Sequence, residues 1–145
     1  MSEKTPILVA EDEAMLRLIA VEMLEDAGFH VFEASDGVEA VAIACELRLD
    51  LILMDLSMPV LDGFDATAQI RRFEQEHAHP RVPVVAYTAT LTHTDKPRLR
   101  LCGIDAVLEK PLDLHAFQAC VMRWCSPADG SDARAPFARL RQTVG

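Results

Sequence analysis

Short apolar runs alternate with amphipathic helical patterns along most of this chain. The runs cover residues 7–10, 29–34, 51–54, 82–87 and 106–108, and each is too short to be a buried helix. Strands of a parallel sheet are buried on both faces and therefore show near-continuous apolar runs. The alternation predicts an α/β fold in which helices cover both faces of a five-stranded parallel sheet.

The segments between the runs carry helix start and stop signals. Gly28 ends the first predicted helix, Asp36 caps the second, and a short fourth helix begins near Asp95 and ends at Gly103. Asp113 is predicted to cap a last helix. Because crossovers between parallel strands are right-handed in ~98% of cases, these five units limit the topology to doubly wound forms.

Length and charge exclude several classes of protein. The 145 residues fit one domain, which we expect over residues 1–125. A tail or linker follows over 126–145, in which the residues after Pro136 could form a short helix. The formal charge of −9 disfavours nonspecific binding to DNA or anionic membranes. Without an apolar run long enough to span a membrane, or a signal peptide pattern, we expect a cytoplasmic protein with reduced cysteines.

Acidic, hydroxyl and amine side chains stand just past the ends of the predicted strands. Glu11 and Asp12 follow the first strand, Asp55 the third, Thr88 the fourth and Lys110 the fifth. In doubly wound folds the ligand site lies at this edge of the sheet. Clustered carboxylates at the ends of apolar strands are costly unless they are paired or bind a metal. We therefore expect a divalent cation there, with Mg²⁺ the best match.

These residue types suit the transfer of a phosphoryl group to a carboxylate. Asp55 is the best nucleophile, and Asp12 the best metal ligand with Glu11 binding directly or through water. Lys110 would reach the phosphoryl group and Thr88 would donate a hydrogen bond to it. Taken one at a time, the same residues have simpler interpretations, such as a helix cap, a turn hydroxyl or a solvated surface charge.

Four motifs at these spacings resemble the response regulator receiver domains, the CheY-like family of two-component phosphorelay signalling. They are ILVAED at 7–12, DLSMPVLDG at 55–63, VVAYTA at 84–89 and KP at 110–111, and the resemblance covers about residues 6–125. It implies a flavodoxin-like strand order 2-1-3-4-5. It also implies that Asp55 is the phosphoacceptor and that a sensor histidine kinase or a histidine phosphotransfer protein is the donor.

The resemblance also assigns the remaining positions of the site. It implies a set of metal ligands: Glu11, Asp12, Asp55 and the backbone carbonyl of Ser57. These would hold Mg²⁺, with Mn²⁺ as a substitute. Thr88 and Lys110 match the hydroxyl and the lysine of the family's switch.

Loop residues complete the resemblance. Pro59 and Gly63 shape the loop after Asp55, with Gly63 free to take positive φ, and Pro111 suggests a cis Lys-Pro bond. Val107 stands where the family often has an aromatic residue, so the resemblance does not carry over the family's aromatic rearrangement. Tyr87, just before Thr88, is an aromatic residue near the site, but we do not assign that rearrangement to it.

Other interpretations stay open. The chain is either a stand-alone regulator or the receiver of a hybrid histidine kinase. An aspartate-nucleophile phosphatase would need an acid where Ser57 stands, and a non-phosphorylated binding module would not need the intact acidic and basic set. We expect no enzymatic activity beyond self-catalysed phosphorylation and dephosphorylation. We also expect no direct nucleic-acid contact and no membrane insertion. The output would pass to an unknown protein target.

Overall fold

Strands and helices alternate in the computed structural model, which describes residues 4–89, 91–110, 115–116 and 118–120. The strands are β1 (Pro6–Ala10), β2 (His30–Ala34), β3 (Leu51–Asp55), β4 (Val84–Thr88) and β5 (Ala106–Glu109). The helices are α1 (Ala14–Asp26), α2 (Gly37–Glu46), α3 (Gly63–Glu76) and α4 (Asp95–Cys102). The backbone is also helical at 115–116 and 118–120, where the sequence predicted a last helix. The predicted cap Asp113, Pro111 and the tail over 126–145 lie outside the described residues.

All neighbouring strands are parallel, and their order is β2-β1-β3-β4-β5. The doubly wound, flavodoxin-like sheet predicted from the sequence is therefore confirmed. β3 lies at the centre, so that Asp55 ends the middle strand of the carboxyl edge. The chain first moves outward from β1 to β2 and then returns to β3. The strand order thus reverses between β1 and β3, where such sheets form a crevice.

Two apolar layers cover the sheet, and successive strand residues alternate between them. Leu8 and Ile52 belong to the layer that also contains residues of α2, α3 and α4. Val9 and Leu53 belong to the layer that contains residues of α1. This alternation follows from the two-residue period of a strand. It explains why the strands that are buried on both faces, β3 and β4, are apolar on both faces, whereas the edge strand β2 carries the exposed His30 and Glu33. Among the described residues, no helix is both long enough and apolar enough to cross a membrane.

The observed elements differ from the predicted ones mainly at their ends. β4 begins at Val84 rather than at residue 82, because the backbone N–H of Val82 donates to the carboxylate of Glu74 (2.9 Å). α4 is short, as expected, and ends at Gly103, whose φ of 97° is the left-handed conformation that glycine tolerates.

The loop after β3 contains one correction to the sequence analysis. Gly63 does not have a positive φ; Val60 does, at 72°. The carbonyl of Pro59 accepts a hydrogen bond from the N–H of Leu61 (2.7 Å), so Val60 is the centre of a tight γ-turn. Gly63 is needed for space instead, because a Cβ there would lie 2.4 Å from the backbone oxygen of Asp55.

A buried ion-pair network stands at the amino edge of the sheet. The guanidinium of Arg71 contacts Glu74 (3.0 Å) and Asp105 (3.0 Å) and donates to the carbonyl of Gly103 (2.8 Å). Asp105 also pairs with Arg81 (2.9 Å) and is only 2% exposed. This network joins α3 to the segment between α4 and β5.

Loss of one member of this network should destabilise the fold strongly. We expect Asp105→Ala to lower the free energy of unfolding by about 3–5 kcal/mol, because it leaves a buried guanidinium with less compensating charge. Urea denaturation measures this change. The control is Glu33→Ala, which removes a half-exposed ion pair with Arg17 and should cost less than about 1 kcal/mol. Equal losses in the two variants would contradict this prediction.

Candidate functional site

A cavity of about 570 Å³ opens at the carboxyl edge of the sheet. Its lining includes the predicted metal and phosphoryl-contacting residues: Glu11, Asp12, Asp55, Ser57, Thr88 and Lys110. They come together because β1, β3, β4 and β5 are parallel and therefore end at the same edge. The predicted loop residues Pro59 and Gly63 lie in the segment that leaves this edge after Asp55.

Three carboxylates form the acidic part of the site. One oxygen from each of Glu11, Asp12 and Asp55 lies within 4.8 Å of the others. Glu11 and Asp55 are each only 2% exposed, whereas Asp12 is exposed. Mg²⁺ holds oxygen ligands at about 2.0–2.1 Å, so ligands on opposite sides of the ion are about 4 Å apart. The described carboxylate oxygens could therefore converge on a single small dication after shifts of less than about 1 Å.

Lys110 extends across the cavity to two of these acids. Its ammonium Nζ lies 3.1 Å from Oε1 of Glu11 and 3.6 Å from Oδ1 of Asp55. Burial alone would lower the pKa of Lys110, but the hydrogen bond to Glu11 and the negative charges of both acids outweigh it and raise the pKa. The backbone N–H of Lys110 donates to the carbonyl of Thr88 (2.7 Å), which fixes the end of β5 against the end of β4.

Glu11 is held in place by a residue that the sequence analysis missed. Arg17 of α1 donates from Nη1 to the backbone carbonyl of Glu11 (2.8 Å). The second carboxylate oxygen of Glu11 accepts from the N–H of Glu13 (3.0 Å). Glu13, not Glu11 or Asp12, is the N-cap residue of α1. The simpler interpretation of the acidic pair as a plain helix cap is therefore wrong.

Asp55 has the most perturbed environment of the site. Burial raises its pKa to about 7, and the negative charge of Glu11 adds to the rise, while the Ser57 N–H (3.1 Å from Oδ1) and Lys110 oppose it. A carboxylate that is held out of water in this way is poorly solvated. A bound cation would therefore lower the free energy of the ionised Asp55 carboxylate in the folded chain.

Tyr87 and Val107 stand on opposite faces of the sheet. Tyr87 belongs to the apolar layer of α1, and its ring centroid lies 4.6 Å from Nζ of Lys110. Val107 packs against the layer of α2, α3 and α4. Tyr87 therefore does not replace the aromatic residue that the resemblance would place at position 107. Its contact with Lys110 depends on strand register, which the sequence alone did not reveal.

The pKa of Asp55 predicts a pH-dependent stability. Between the ordinary value of 3.8 and about 7, the folded chain holds a proton that the unfolded chain has released. The free energy of unfolding therefore falls as the pH rises through this window. In metal-free buffer above about pH 7, we expect Asp55→Asn to be more stable than the wild type by about 1–3 kcal/mol. The difference in the free energy of unfolding between this variant and wild type should vanish at about pH 4.

Urea denaturation across this pH range tests the prediction. The control is Glu25→Gln, which removes an exposed carboxylate of α1 and should show no such trend. If the difference in the free energy of unfolding between Asp55→Asn and wild type stayed constant with pH, the raised pKa of Asp55 could not be its cause.

Comparisons with known proteins agree with the fold. The family model described as the response regulator receiver domain matches residues 7–122. Sensor protein GacS of Pseudomonas syringae pv. syringae is 34% identical over 125 residues, which is 86% of this chain and 14% of that protein. The chain thus spans a small part of the length of this relative.

Two solved structures combine the same fold with matching sequence. One contains the Saccharomyces cerevisiae phosphotransfer protein Ypd1 and the receiver domain of Ssk1 (34% identity, TM-score 0.76, 86% of this chain and 90% of that chain). The other is the receiver domain of the Pseudomonas aeruginosa sensor histidine kinase PA1611, with a magnesium ion in its cleft (34% identity, TM-score 0.74, 84% and 98%). The chain therefore belongs to the response regulator receiver domains, the signalling modules of two-component phosphorelays.

Proposed function

We propose that this receiver domain takes a phosphoryl group from a phosphohistidine onto Asp55 and later loses it by hydrolysis. One observation carries the proposal: three carboxylates and the ammonium of Lys110 share one cavity, with Asp55 at its centre. The cluster concentrates negative charge for a dication and provides a positive charge for a phosphoryl group.

Glu11, Asp12, Asp55 and the backbone carbonyl of Ser57 are the proposed ligands of Mg²⁺, with Mn²⁺ as a substitute. The fit of the three carboxylates around one small ion supports this assignment, as does the magnesium ion in the cleft of the PA1611 receiver. When bound, the ion neutralises charge on the carboxylates and on the oxygens of the phosphoryl group.

The transfer itself needs little more from the chain than position and charge. A carboxylate oxygen of Asp55 forms a bond to phosphorus as the bond from phosphorus to the donor nitrogen breaks, and that electron pair leaves with the imidazole. Lys110 pairs with a phosphoryl oxygen, and the hydroxyl of Thr88 donates a hydrogen bond to another. In hydrolysis a water attacks phosphorus, inorganic phosphate departs and the Asp55 carboxylate is restored.

The new phosphoryl group changes the balance of charge at the cavity. It adds about −1.5 to −2 charges and three acceptor oxygens beside Thr88 and Lys110. We propose that both residues move toward it and shift the loop before α4. Because Val107 is small and faces the other layer, this switch operates without an aromatic rearrangement at that position.

The donor is proposed to be a sensor histidine kinase or a histidine phosphotransfer protein. The complex of the Ssk1 receiver with Ypd1 supports the second. The similarity to Sensor protein GacS and to the receiver domain of the sensor histidine kinase PA1611 supports a kinase context. Such a chain either works as a stand-alone regulator or serves as one module of a hybrid kinase. In both contexts its output passes through contact with another protein.

Phosphorylation by a small donor tests the proposed function. We expect wild-type chain with Mg²⁺ and phosphoramidate, whose phosphorus–nitrogen bond imitates phosphohistidine, to gain one phosphoryl group by intact mass. Asp55→Asn should gain none, and chelation of the metal should abolish the reaction. The control Asp26→Asn removes an acid at the far end of α1 and should react like wild type. A wild type that stays unmodified would overturn the proposal.

Two variants should separate metal binding from phosphoryl transfer. We expect Asp12→Asn to weaken Mg²⁺ binding by about tenfold or more, since it removes a proposed ligand. Lys110→Ala should bind Mg²⁺ at least as tightly as wild type, because it removes a competing ammonium, yet react more slowly. Calorimetric titration gives the affinities and intact mass gives the rates. Weaker Mg²⁺ binding by Lys110→Ala than by wild type would contradict the proposed competition between the Lys110 ammonium and Mg²⁺ for the carboxylates.

A further inference from the structure

We infer that Tyr87 is a positioning residue for Lys110: the face of its ring holds the ammonium over the carboxylates of Glu11 and Asp55. The inference rests on the proposed function, because it concerns the lysine that would contact the phosphoryl group. Tyr87 received no role from the sequence motifs or from the predicted set of Mg²⁺ ligands.

The strand register places the ring beside the lysine. Tyr87 pairs with Asp55 on β3 and with Leu108 on β5, two residues before Lys110. Its ring centroid lies 4.6 Å from Nζ, well within the ~6 Å at which a cation and an aromatic face attract each other. Tyr87 is only 5% exposed, so little water competes for the ammonium from the side of the ring.

The ring supplies an attraction that does not depend on the carboxylates. A lysine side chain is a flexible stem with a point charge, and its backbone alone does not fix where the ammonium lies. In the described structure, ion pairs with Glu11 and Asp55 hold it. A metal or a phosphoryl group at those oxygens would weaken these pairs, whereas the contact with the ring would persist. The lysine would thus stay over the cavity at the time of transfer.

A purely structural role for Tyr87 makes a different prediction. The residue also belongs to the apolar layer that includes Val85 and Leu53. If apolar packing were its whole role, an aliphatic replacement of similar size would serve as well as an aromatic one. If the ring face matters, phenylalanine should replace tyrosine and leucine should not.

The experiment compares Tyr87→Phe with Tyr87→Leu in the full chain. At saturating Mg²⁺ we expect Tyr87→Leu to be phosphorylated by phosphoramidate about three- to tenfold more slowly than wild type, and Tyr87→Phe to stay within about twofold. The Mg²⁺ affinities of both should stay within about twofold of wild type, because the ligands are unchanged. The control Phe29→Leu replaces a buried ring in the same layer and should react at the wild-type rate.

A spectroscopic readout reports the contact directly. In chains labelled at the lysine ε-carbon, the ring should shift the ε-proton signal of Lys110 upfield in wild type and Tyr87→Phe but not in Tyr87→Leu. Lys110→Arg assigns that signal. Tyr87→Met serves as a second aliphatic variant if Tyr87→Leu does not fold.

The outcomes separate this inference from the proposed function. Equal rates for the aromatic and aliphatic variants, or an unshifted Lys110 signal in wild type, would overturn the positioning role. A wild type that phosphoramidate does not modify would overturn the proposed function instead, and the proton signal would still decide whether the ring holds the lysine.

Discussion

Two buried carboxylates at the ends of neighbouring strands are the constraint on which the carboxyl edge of this sheet depends. Glu11 and Asp55 are almost wholly buried and repel each other, so the fold must surround them with compensating groups. Lys110 supplies the charge, and the backbone N–H groups of Glu13 and Ser57 supply hydrogen bonds. The rise in the pKa of Asp55 to about 7 indicates that this compensation is incomplete. A bound cation would supply the compensation that is missing.

Much of this arrangement could be predicted from the sequence, because it follows from local patterns. Apolar runs fixed the strands, and parallel strands bring Glu11, Asp55 and Lys110 to one edge whatever the details of the loops. What could not be predicted depends on which segments approach one another. The sequence suggested that Gly63 serves by its freedom to take positive φ, but glycine is needed there because its Cα lies close to the backbone of Asp55. The Arg71–Asp105 pair joins residues from separate elements, and no periodicity in the sequence indicates it.

Strand alternation also decides how an aromatic residue can act in this domain. Successive residues of β4 and β5 face opposite layers, so an aromatic side chain near the site contacts either the lysine or the α4 layer. Tyr87 is on the first side and Val107 on the second. The sequence shows both residues plainly, yet their separate surroundings follow from register alone.

The charged clusters at the two edges of the sheet differ in their formal charge. At the amino edge, Arg71 and Arg81 match Glu74 and Asp105, and the four formal charges cancel. At the carboxyl edge, the cluster of Glu11, Asp12, Asp55 and Lys110 has three carboxylates for one ammonium, which gives this cluster a formal charge of −2. An anionic phosphoryl donor is repelled by such a surface, and a dication cancels it. For the proposed phosphotransfer, the electrostatics therefore favour an order of events in which the metal ion binds before the phosphoryl donor approaches.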